Sequence, residues 1–313
     1  MRNPQNFYLL STLGTSHLRA NRWLQKDYLL VRAQLGRLPG RFITQAYRAH
    51  LPTLNMHLLN RCGRLKDMQP LSSNALEDQV VLITGGSRGI GFSAAKALGN
   101  LGATVLLVGI TPDNLARAVA QLVTLGIDAD GICVDVADGE AVADNIGNHA
   151  LAGRADILIN SAGVMSEKMS KTLRTSQQEW RRVMSINLDG TFNMIAAVGP
   201  QMAARKSGRI INVSACLGRF TGPGLAGGLA PYRISKAGVN ALTKNLAAEL
   251  GNGTRGVLVD AMCPNHTQTD MGGPLAPRTP DEAADTICWL ATRTHDADIQ
   301  TGFLWEDRKI VPW

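Results

Sequence analysis

The chain has 313 residues, of which 5% are aromatic, 18% are charged and 32 are glycines, a composition typical of an α/β enzyme. No apolar run approaches the roughly 18 residues of a membrane span, which argues against an integral membrane protein. The net charge is +7, but residues 1–66 hold eleven Arg or Lys and one acid, so the rest carries −3, the difference between +7 and +10. A mildly acidic body argues against general binding of nucleic acid.

The cysteines indicate the compartment. All five, Cys62, Cys133, Cys216, Cys263 and Cys288, are scattered, without a Cys-x-x-Cys pair or a histidine at zinc spacing. This pattern is typical of reduced thiols in a reducing compartment. We therefore predict a cytoplasmic protein without a metal site, and targeting to an organelle by the basic N-terminus stays open.

A polar segment over residues 67–74 predicts a boundary between a basic N-terminal extension, residues 1–75, and a domain over residues 76–313. Within the extension, apolar residues at 42–43, 46–47 and 50–51 recur at helical spacing, which indicates an amphipathic helix. Three interpretations stay open: a targeting segment, an arm that binds a surface or a partner, and a solvated tail.

The domain is organised around a glycine-rich turn. The apolar run Val80–Thr84 leads directly into Gly85, Gly89 and Gly91, and a segment compatible with a helix follows. Such a junction leaves the first N–H groups of the helix pointing over the turn, where the helix dipole favours negative charge. The stretch therefore predicts strand, turn and helix around an anion site, most often one for pyrophosphate.

Apolar strands and helical segments alternate along the rest of the chain. After the first strand, strands are predicted over residues 103–108, 130–134, 155–160, 209–214 and 256–262, with a helix starting near Pro112. Repeated β-α units require right-handed crossovers and hence parallel strands. We predict an α/β fold with a single Rossmann-type doubly wound parallel sheet flanked by helices, whose ligands bind at the carboxyl ends of the strands.

Tyr232 and Lys236 stand four residues apart, so they share one face of a helix. A free phenol ionises near pH 10, which is too high for acid–base work at neutral pH, but an adjacent ammonium favours the phenolate. The pair is thus predicted to move a proton at a carbonyl or alcohol.

The motifs together are more specific than any one of them. They are, in chain order, Thr84-Gly85-x-x-x-Gly89-x-Gly91, Asn160-Ser161-Ala162-Gly163, Asn187, Tyr232-x-x-x-Lys236 and the stretch from Pro264 to Thr269. Over residues 76–313 the chain resembles the classical short-chain dehydrogenase/reductase family. The segment 231–250 and the ending 302–309 look like a carbonyl-reductase-like subgroup.

The resemblance implies an oxidoreductase that interconverts a carbonyl and an alcohol by hydride transfer, and a homodimer or homotetramer. Tyr232 would be the general acid or base, Lys236 would tune it and hold the nicotinamide ribose, and Asn187 would hold a water that links Lys236 to solvent. Contacts to the cofactor would come from Tyr232 and Lys236 together with Gly85, Ser87, Arg88, Gly89, Ile90, Gly91, Asp135, Val136, Asn160, Ala162, Gly163, Pro264, Thr267 and Thr269.

The second strand predicts the choice of cofactor. A site for NAD usually places an acid after the second strand to hold the ribose 2′-hydroxyl. Here the strand ends in Val108-Gly109-Ile110-Thr111, and the next acid is Asp113. Arg88 in the glycine turn is instead suited to a 2′-phosphate, although Ile110 stands where the subgroup often has a second arginine. We predict NADP, and a hydrophobic substrate from apolar residues such as Phe220 and Met271.

The sequence departs from the family at the end of the fifth strand. Ala215 occupies the place of the usual catalytic serine, and Ser214 can replace it only if the strand end is irregular, because successive residues face opposite sides. Loss of one such donor costs on the order of 2.7–4 kcal/mol of transition-state stabilisation. Three hypotheses remain: an NADP-dependent reductase, a weak or silent NADP-binding relative, and a docking protein whose basic extension carries the function.

Overall fold

The computed structural model describes residues 74–167, 171–295 and 300–313, which belong to one unit, Leu71–Trp313. The basic extension, residues 1–75, falls almost wholly outside the described residues. Its amphipathic helix, its role and its boundary at residue 75 therefore stay predictions.

The described residues form an eight-stranded sheet with the order β3-β2-β1-β4-β5-β6-β7-β8. All neighbouring strands are parallel except the last pair, β7 and β8. The predicted doubly wound sheet is confirmed. The strands are β1 (Val80–Thr84), β2 (Thr104–Gly109), β3 (Ala129–Cys133), β4 (Ile157–Asn160), β5 (Gly208–Val213), β6 (Val257–Met262), β7 (Leu304–Glu306) and β8 (Lys309–Val311).

Helices cover both faces of this sheet. They are α1 (Gly89–Gly99), α2 (Pro112–Thr124), α3 (Gly139–Asn148), α4 (Gln177–Met184), α5 (Gly190–Arg205), α6 (Ala230–Glu249) and α7 (Pro280–Thr292), and a π-helical turn, Ser185–Asp189, joins α4 to α5. Pro112 opens α2 as predicted, and Thr279 caps α7 in a capping box. Among the described helices, none is long and apolar enough to cross a membrane.

The sheet lies between two apolar layers, which explains its continuous apolar runs. All five residues of β1 are buried, because alternate side chains pack against opposite layers. One layer is formed with α1, α2 and α7, and the other with α3, α5 and α6. Helices of both layers hold the carboxyl ends of the strands in place.

The six predicted strands are confirmed, with ends that differ by one or two residues. The fourth strand, for example, begins at Ile157 and not at residue 155. β7 and β8 were not predicted, because three residues are too few to show a periodic pattern.

Candidate active site

A cleft opens at the carboxyl ends of the strands, where the strand order reverses between β1 and β4. It holds a cavity of about 470 Å³. The predicted site residues that line it are Gly85, Ser87, Arg88, Gly89, Ile90, Gly91, Asp135, Val136, Ala162, Gly163, Ser214, Tyr232, Lys236, Pro264 and Thr269. Three others, Asn160, Asn187 and Thr267, are not among the residues that line it.

The glycine turn approaches its surroundings too closely for side chains. Gly85 and Gly89 have φ of +63° and +57°, which favour glycine. A Cβ on Gly91 would lie 2.5 Å from the carbonyl oxygen of Gly85, and one on Gly85 would lie 2.9 Å from Cα of Ala162. No side chain caps the N-terminus of α1 and its first turn has no acid, so this end of the helix suits an anion.

Thr84 fixes the loop after β4 against this turn. Its hydroxyl oxygen accepts hydrogen bonds from the backbone N–H groups of Ser161 and Ala162, both at 3.0 Å. These bonds keep Ala162 and Gly163 at the wall of the cleft beside Gly85. Thr84 was quoted in the motif but not predicted as a site residue.

Tyr232 and Lys236 lie on α6 with 6% and 5% of their surfaces exposed. The Lys236 ammonium donates to the carbonyl oxygen of Val213 at 2.7 Å, and burial lowers its pKa to about 8. Burial, followed by the nearby thiols of Cys263 and Cys216, raises the pKa of Tyr232. The pKa of Tyr232 is thus raised by burial, contrary to the lowering predicted from the neighbouring ammonium.

Asn187 lies fully buried in the π-helical turn and clamps two parts of the site together. Its amide accepts from Val164 N–H at 2.8 Å and donates to Val164 O and to the Ser235 hydroxyl, both at 3.0 Å. A Cβ on Gly163 would lie 3.3 Å from Oδ1 of Asn187 and 3.6 Å from Nζ of Lys236. The side chain thus joins the loop after β4 to α6, a contact between distant segments that sequence spacing does not reveal.

The backbone at the end of β5 is regular. Ala215 is extended, with φ −158° and ψ 151°, so Ser214 and Ala215 face opposite sides. The Ser214 hydroxyl donates to Oδ1 of Asn240 at 2.5 Å, and also lies 3.3 Å from the carbonyl oxygen of Lys236. Ala215 packs in one apolar cluster with Tyr232. The position beside Tyr232 therefore belongs to Ala215, and the Ser214 hydroxyl is engaged with α6.

Asn160 and Thr267, which were predicted to contact the cofactor, form hydrogen bonds within the protein. Asn160 donates to Oδ1 of Asn212 at 2.9 Å, and Asn212 donates to the Thr243 hydroxyl at 2.9 Å, which ties β4 and β5 to α6. The Thr267 hydroxyl donates to the carbonyl oxygens of Pro264 at 3.1 Å and Asn265 at 3.3 Å. Asn265 has φ +60°, which asparagine tolerates better than most residues.

A second cavity, of about 210 Å³, adjoins the glycine turn and is lined by Ser87, Arg88, Asn114, Arg117, Ala118 and Gln121. Arg88 forms an exposed ion pair with Asp270. Arg117, which sequence reasoning missed, lies one helical turn after Asn114 on α2 and donates to its side chain. The signal was present, since α2 begins directly after β2 and carries a basic residue in its second turn.

The loops that follow β5 and β6 carry exposed apolar side chains. Phe220 and Leu225 on one loop and Leu275 on the other are at least three-quarters exposed, at 76%, 75% and 95%. The loop that follows β5 is held to α6, because the Arg233 guanidinium donates to the carbonyl oxygens of Pro223 at 3.2 Å and Gly224 at 3.1 Å.

Comparison with known proteins identifies this arrangement. The sequence model of the short chain dehydrogenase family matches residues 79–279. The chain is 37% identical over 233 residues to a 3-oxoacyl-[acyl-carrier-protein] reductase of Synechocystis, with 70% of this chain and 91% of that protein covered.

Two solved structures bear directly on the cleft. A 3-oxoacyl-[acyl-carrier protein] reductase with bound NAD from Brucella melitensis matches with a TM-score of 0.67 and 31% identity, over 78% of this chain and 95% of that one. A gluconate 5-dehydrogenase from Burkholderia cenocepacia in complex with NADP and tartrate matches with a TM-score of 0.66 and 26% identity, over 76% and 96%. The chain belongs to the short chain dehydrogenase family of oxidoreductases.

Proposed function

We propose that this protein reduces a carbonyl compound with NADPH, or oxidises the corresponding alcohol, with Tyr232 as the acid or base. The observation that carries the proposal is the buried Tyr232–Lys236 pair at the wall of a cavity of about 470 Å³ that also contains the glycine turn. The assignment to a carbonyl-reductase-like subgroup and to a homo-oligomer stays a prediction.

The residues of the cleft fit a nicotinamide nucleotide. Side chains are excluded at Gly85 and Gly91 by contacts of 2.9 Å and 2.5 Å, so the backbone is free to approach a pyrophosphate at the N-terminus of α1. The cofactor supplies the hydride when bound, and the protein supplies position and electrostatics. Gly163 leaves room beside Lys236 and Asn187, which suits the ribose and the relay that the family uses.

Tyr232 is then the proton donor in reduction. With its pKa raised, the phenol keeps its proton at neutral pH until the substrate oxygen gains enough charge to take it. Lys236, with a pKa of about 8, is close to the working pH and is able to return a proton after each turnover. Asn187 holds the loop after β4 and α6 in register around both groups.

Arg88 and Arg117 support the preference for NADP. Both line the 210 Å³ cavity beside the glycine turn, and the described end of β2, Val108–Gly109, carries no acid that would repel a phosphate. Arg117 takes the part that the missing arginine at Ile110 would play in the subgroup. A hydrogen bond to a charged group contributes about 1.5–3 kcal/mol, so each arginine is worth roughly tenfold to a hundredfold in affinity for the 2′-phosphate.

A 3-oxoacyl thioester is the substrate class that we favour. The relative from Synechocystis is named a 3-oxoacyl-[acyl-carrier-protein] reductase, Met271 lines the cleft, and the loops that follow β5 and β6 carry exposed apolar residues. A sugar acid, as the gluconate 5-dehydrogenase suggests, fits such apolar loops less well.

A weak or silent NADP-binding relative is the second candidate, and Ala215 is the observation that favours it. Ala215 packs with Tyr232 where the family has its catalytic serine. The Ser214 hydroxyl does not replace it directly, since it is engaged with Asn240 and the backbone of α6.

The test measures binding and turnover separately. Dissociation constants for NADPH and NADH are measured first, for the wild type and for Arg88→Ala and Arg117→Ala, with Arg154→Ala as an exposed arginine outside both cavities. We expect a loss of tenfold or more for NADPH in the two cavity variants and little change for NADH. Equal effects on both nucleotides would refute the role of these arginines.

Turnover of a 3-oxoacyl thioester is then followed for the wild type, Ala215→Ser and Ala226→Ser, whose added hydroxyl lies on the exposed loop. A rise in kcat of about 10²–10³-fold in Ala215→Ser alone would identify the missing hydroxyl as the cause of weak activity. Tight NADPH binding without turnover in any variant would favour the silent relative, and failure to bind either nucleotide would refute both candidates.

A further inference from the structure

Two thiols that the proposed reaction does not use follow neighbouring strands of the sheet. Cys216 follows β5 and Cys263 follows β6, and these strands are neighbours in the sheet, with Val213 opposite Met262. Cys216 packs against the small apolar cluster that contains Cys263 and Leu304. Ala215, the residue before Cys216, packs in one apolar cluster with Tyr232.

The two thiols differ in exposure and in acidity. Cys216 is partly exposed, whereas Cys263 is 1% exposed. The neighbouring Cys263 thiol is the largest cause that lowers the pKa of Cys216 to about 7, and the charge of Arg219 acts in the same direction. The Cys216 thiol and burial raise the pKa of Cys263. Because the thiolate is the nucleophile, Cys216 is the reactive member and Cys263 is the thiol held against it.

We propose that Cys216 and Cys263 form a dithiol site that reacts with hydroperoxides and closes to an intramolecular disulfide. The Cys216 thiolate attacks the terminal peroxide oxygen, the O–O bond breaks, and the leaving alkoxide or hydroxide takes up a proton. Cys263 then attacks the sulfur of the Cys216 sulfenic acid. The S–O bond breaks, and the departing hydroxide takes the Cys263 proton as water.

The surroundings favour a small oxidant. Val311 and Trp313 pack in the same apolar cluster as the two cysteines, and Arg219 with Glu306 forms an ion pair of 3.6 Å nearby. Of the two thiols, Cys216 is partly open to solvent and Cys263 is buried, so a compact hydroperoxide suits the site better than a bulky disulfide reagent. The buried resolving thiol protects the sulfenic acid from further oxidation by trapping it within the fold.

The full-length protein, purified in its reduced form, is the material for the test. After treatment with hydrogen peroxide, free thiols are alkylated and the protein is digested with trypsin without reduction. Cys216 falls in the peptide 210–219 and Cys263 in the peptide 256–278, each with a single cysteine. We expect these two peptides to be joined, with a mass lower by two hydrogen atoms than their sum, and to separate after treatment with dithiothreitol.

The variants distinguish a built site from random oxidation. Cys263→Ser is expected to accumulate a sulfenic acid at Cys216 that dimedone captures, and Cys133→Ser, which removes an exposed thiol elsewhere, is expected to leave the cross-link unchanged. The proposal is overturned if the two peptides are never joined in the wild type, or if Cys216 pairs as often with other cysteines. The readout is covalent, so it is independent of whether the protein turns over any carbonyl substrate.

Discussion

Replacing Lys236 by methionine tests the electrostatic picture of the site. The lysine is 5% exposed, its ammonium donates to Val213 O at 2.7 Å, and burial lowers its pKa to about 8. In the unfolded chain the pKa returns to about 10.4. The folded protein therefore loses the Lys236 proton at a lower pH than the unfolded chain does.

The sign of the effect follows from this difference. Between the two pKa values the unfolded chain binds more protons, so the free energy of unfolding rises with pH through this window. This contribution is fully present above about pH 10.4 and is lost as the pH falls towards about 8. From about pH 7 to 9.5 it amounts to roughly 2 kcal/mol.

Urea unfolding at these two pH values measures the effect. Other groups titrate alike in wild type and variant, so the difference between the two proteins isolates Lys236. We expect the free energy of unfolding of the wild type to rise by about 2 kcal/mol relative to that of Lys236→Met as the pH rises. Lys171→Met, at an exposed lysine, is the matched control. A difference that stays constant within about 0.5 kcal/mol would refute a depressed Lys236 pKa.

Two further predictions concern packing and buried charge. Gly91→Ala, whose methyl group would meet the glycine-turn carbonyl at 2.5 Å, is expected to abolish binding of nucleotide in a titration. Gly147→Ala meets nothing within 4 Å and is expected to raise stability by about 0.5–1 kcal/mol. Asp260→Asn, which breaks a 2.7 Å buried ion pair with Arg293, is expected to cost about 3–5 kcal/mol in urea unfolding, against about 0–1 kcal/mol for the exposed Asp285→Asn. Unchanged nucleotide binding by Gly91→Ala, or equal losses of stability in Asp260→Asn and Asp285→Asn, would contradict the reasoning.

Local signals in the sequence predicted much of this molecule. Buried parallel strands are continuous apolar runs, so β1 and β6 were visible without the structure, as was the glycine turn that follows β1. The Tyr232–Lys236 pair lies on one helix face, which fixed spacing reveals. Each of these features is contained within a few consecutive residues.

What the sequence did not show depends on contacts between distant segments. The side-chain amide of Asn187 binds Val164 and Ser235, which are 23 and 48 residues away, and the water expected at Asn187 stays a prediction. The direction of the Tyr232 pKa depends on burial, which a motif does not contain. The packing of Cys216 against the cluster of Cys263 depends on the register of β5 against β6.

The π-helical turn between α4 and α5 sets a limit on any effort to idealise this protein. It places an extra residue in an otherwise continuous helix, which runs from Gln177 to Arg205. Deleting one residue from Ser185–Asp189 would give a more regular helix, yet it would rotate α5 by about 100° relative to α4. Either the apolar stripe of α5 would leave the core, or Asn187 would leave its clamp. Consensus or automated redesign that rewards helical regularity would thus select directly against the arrangement that holds the site together.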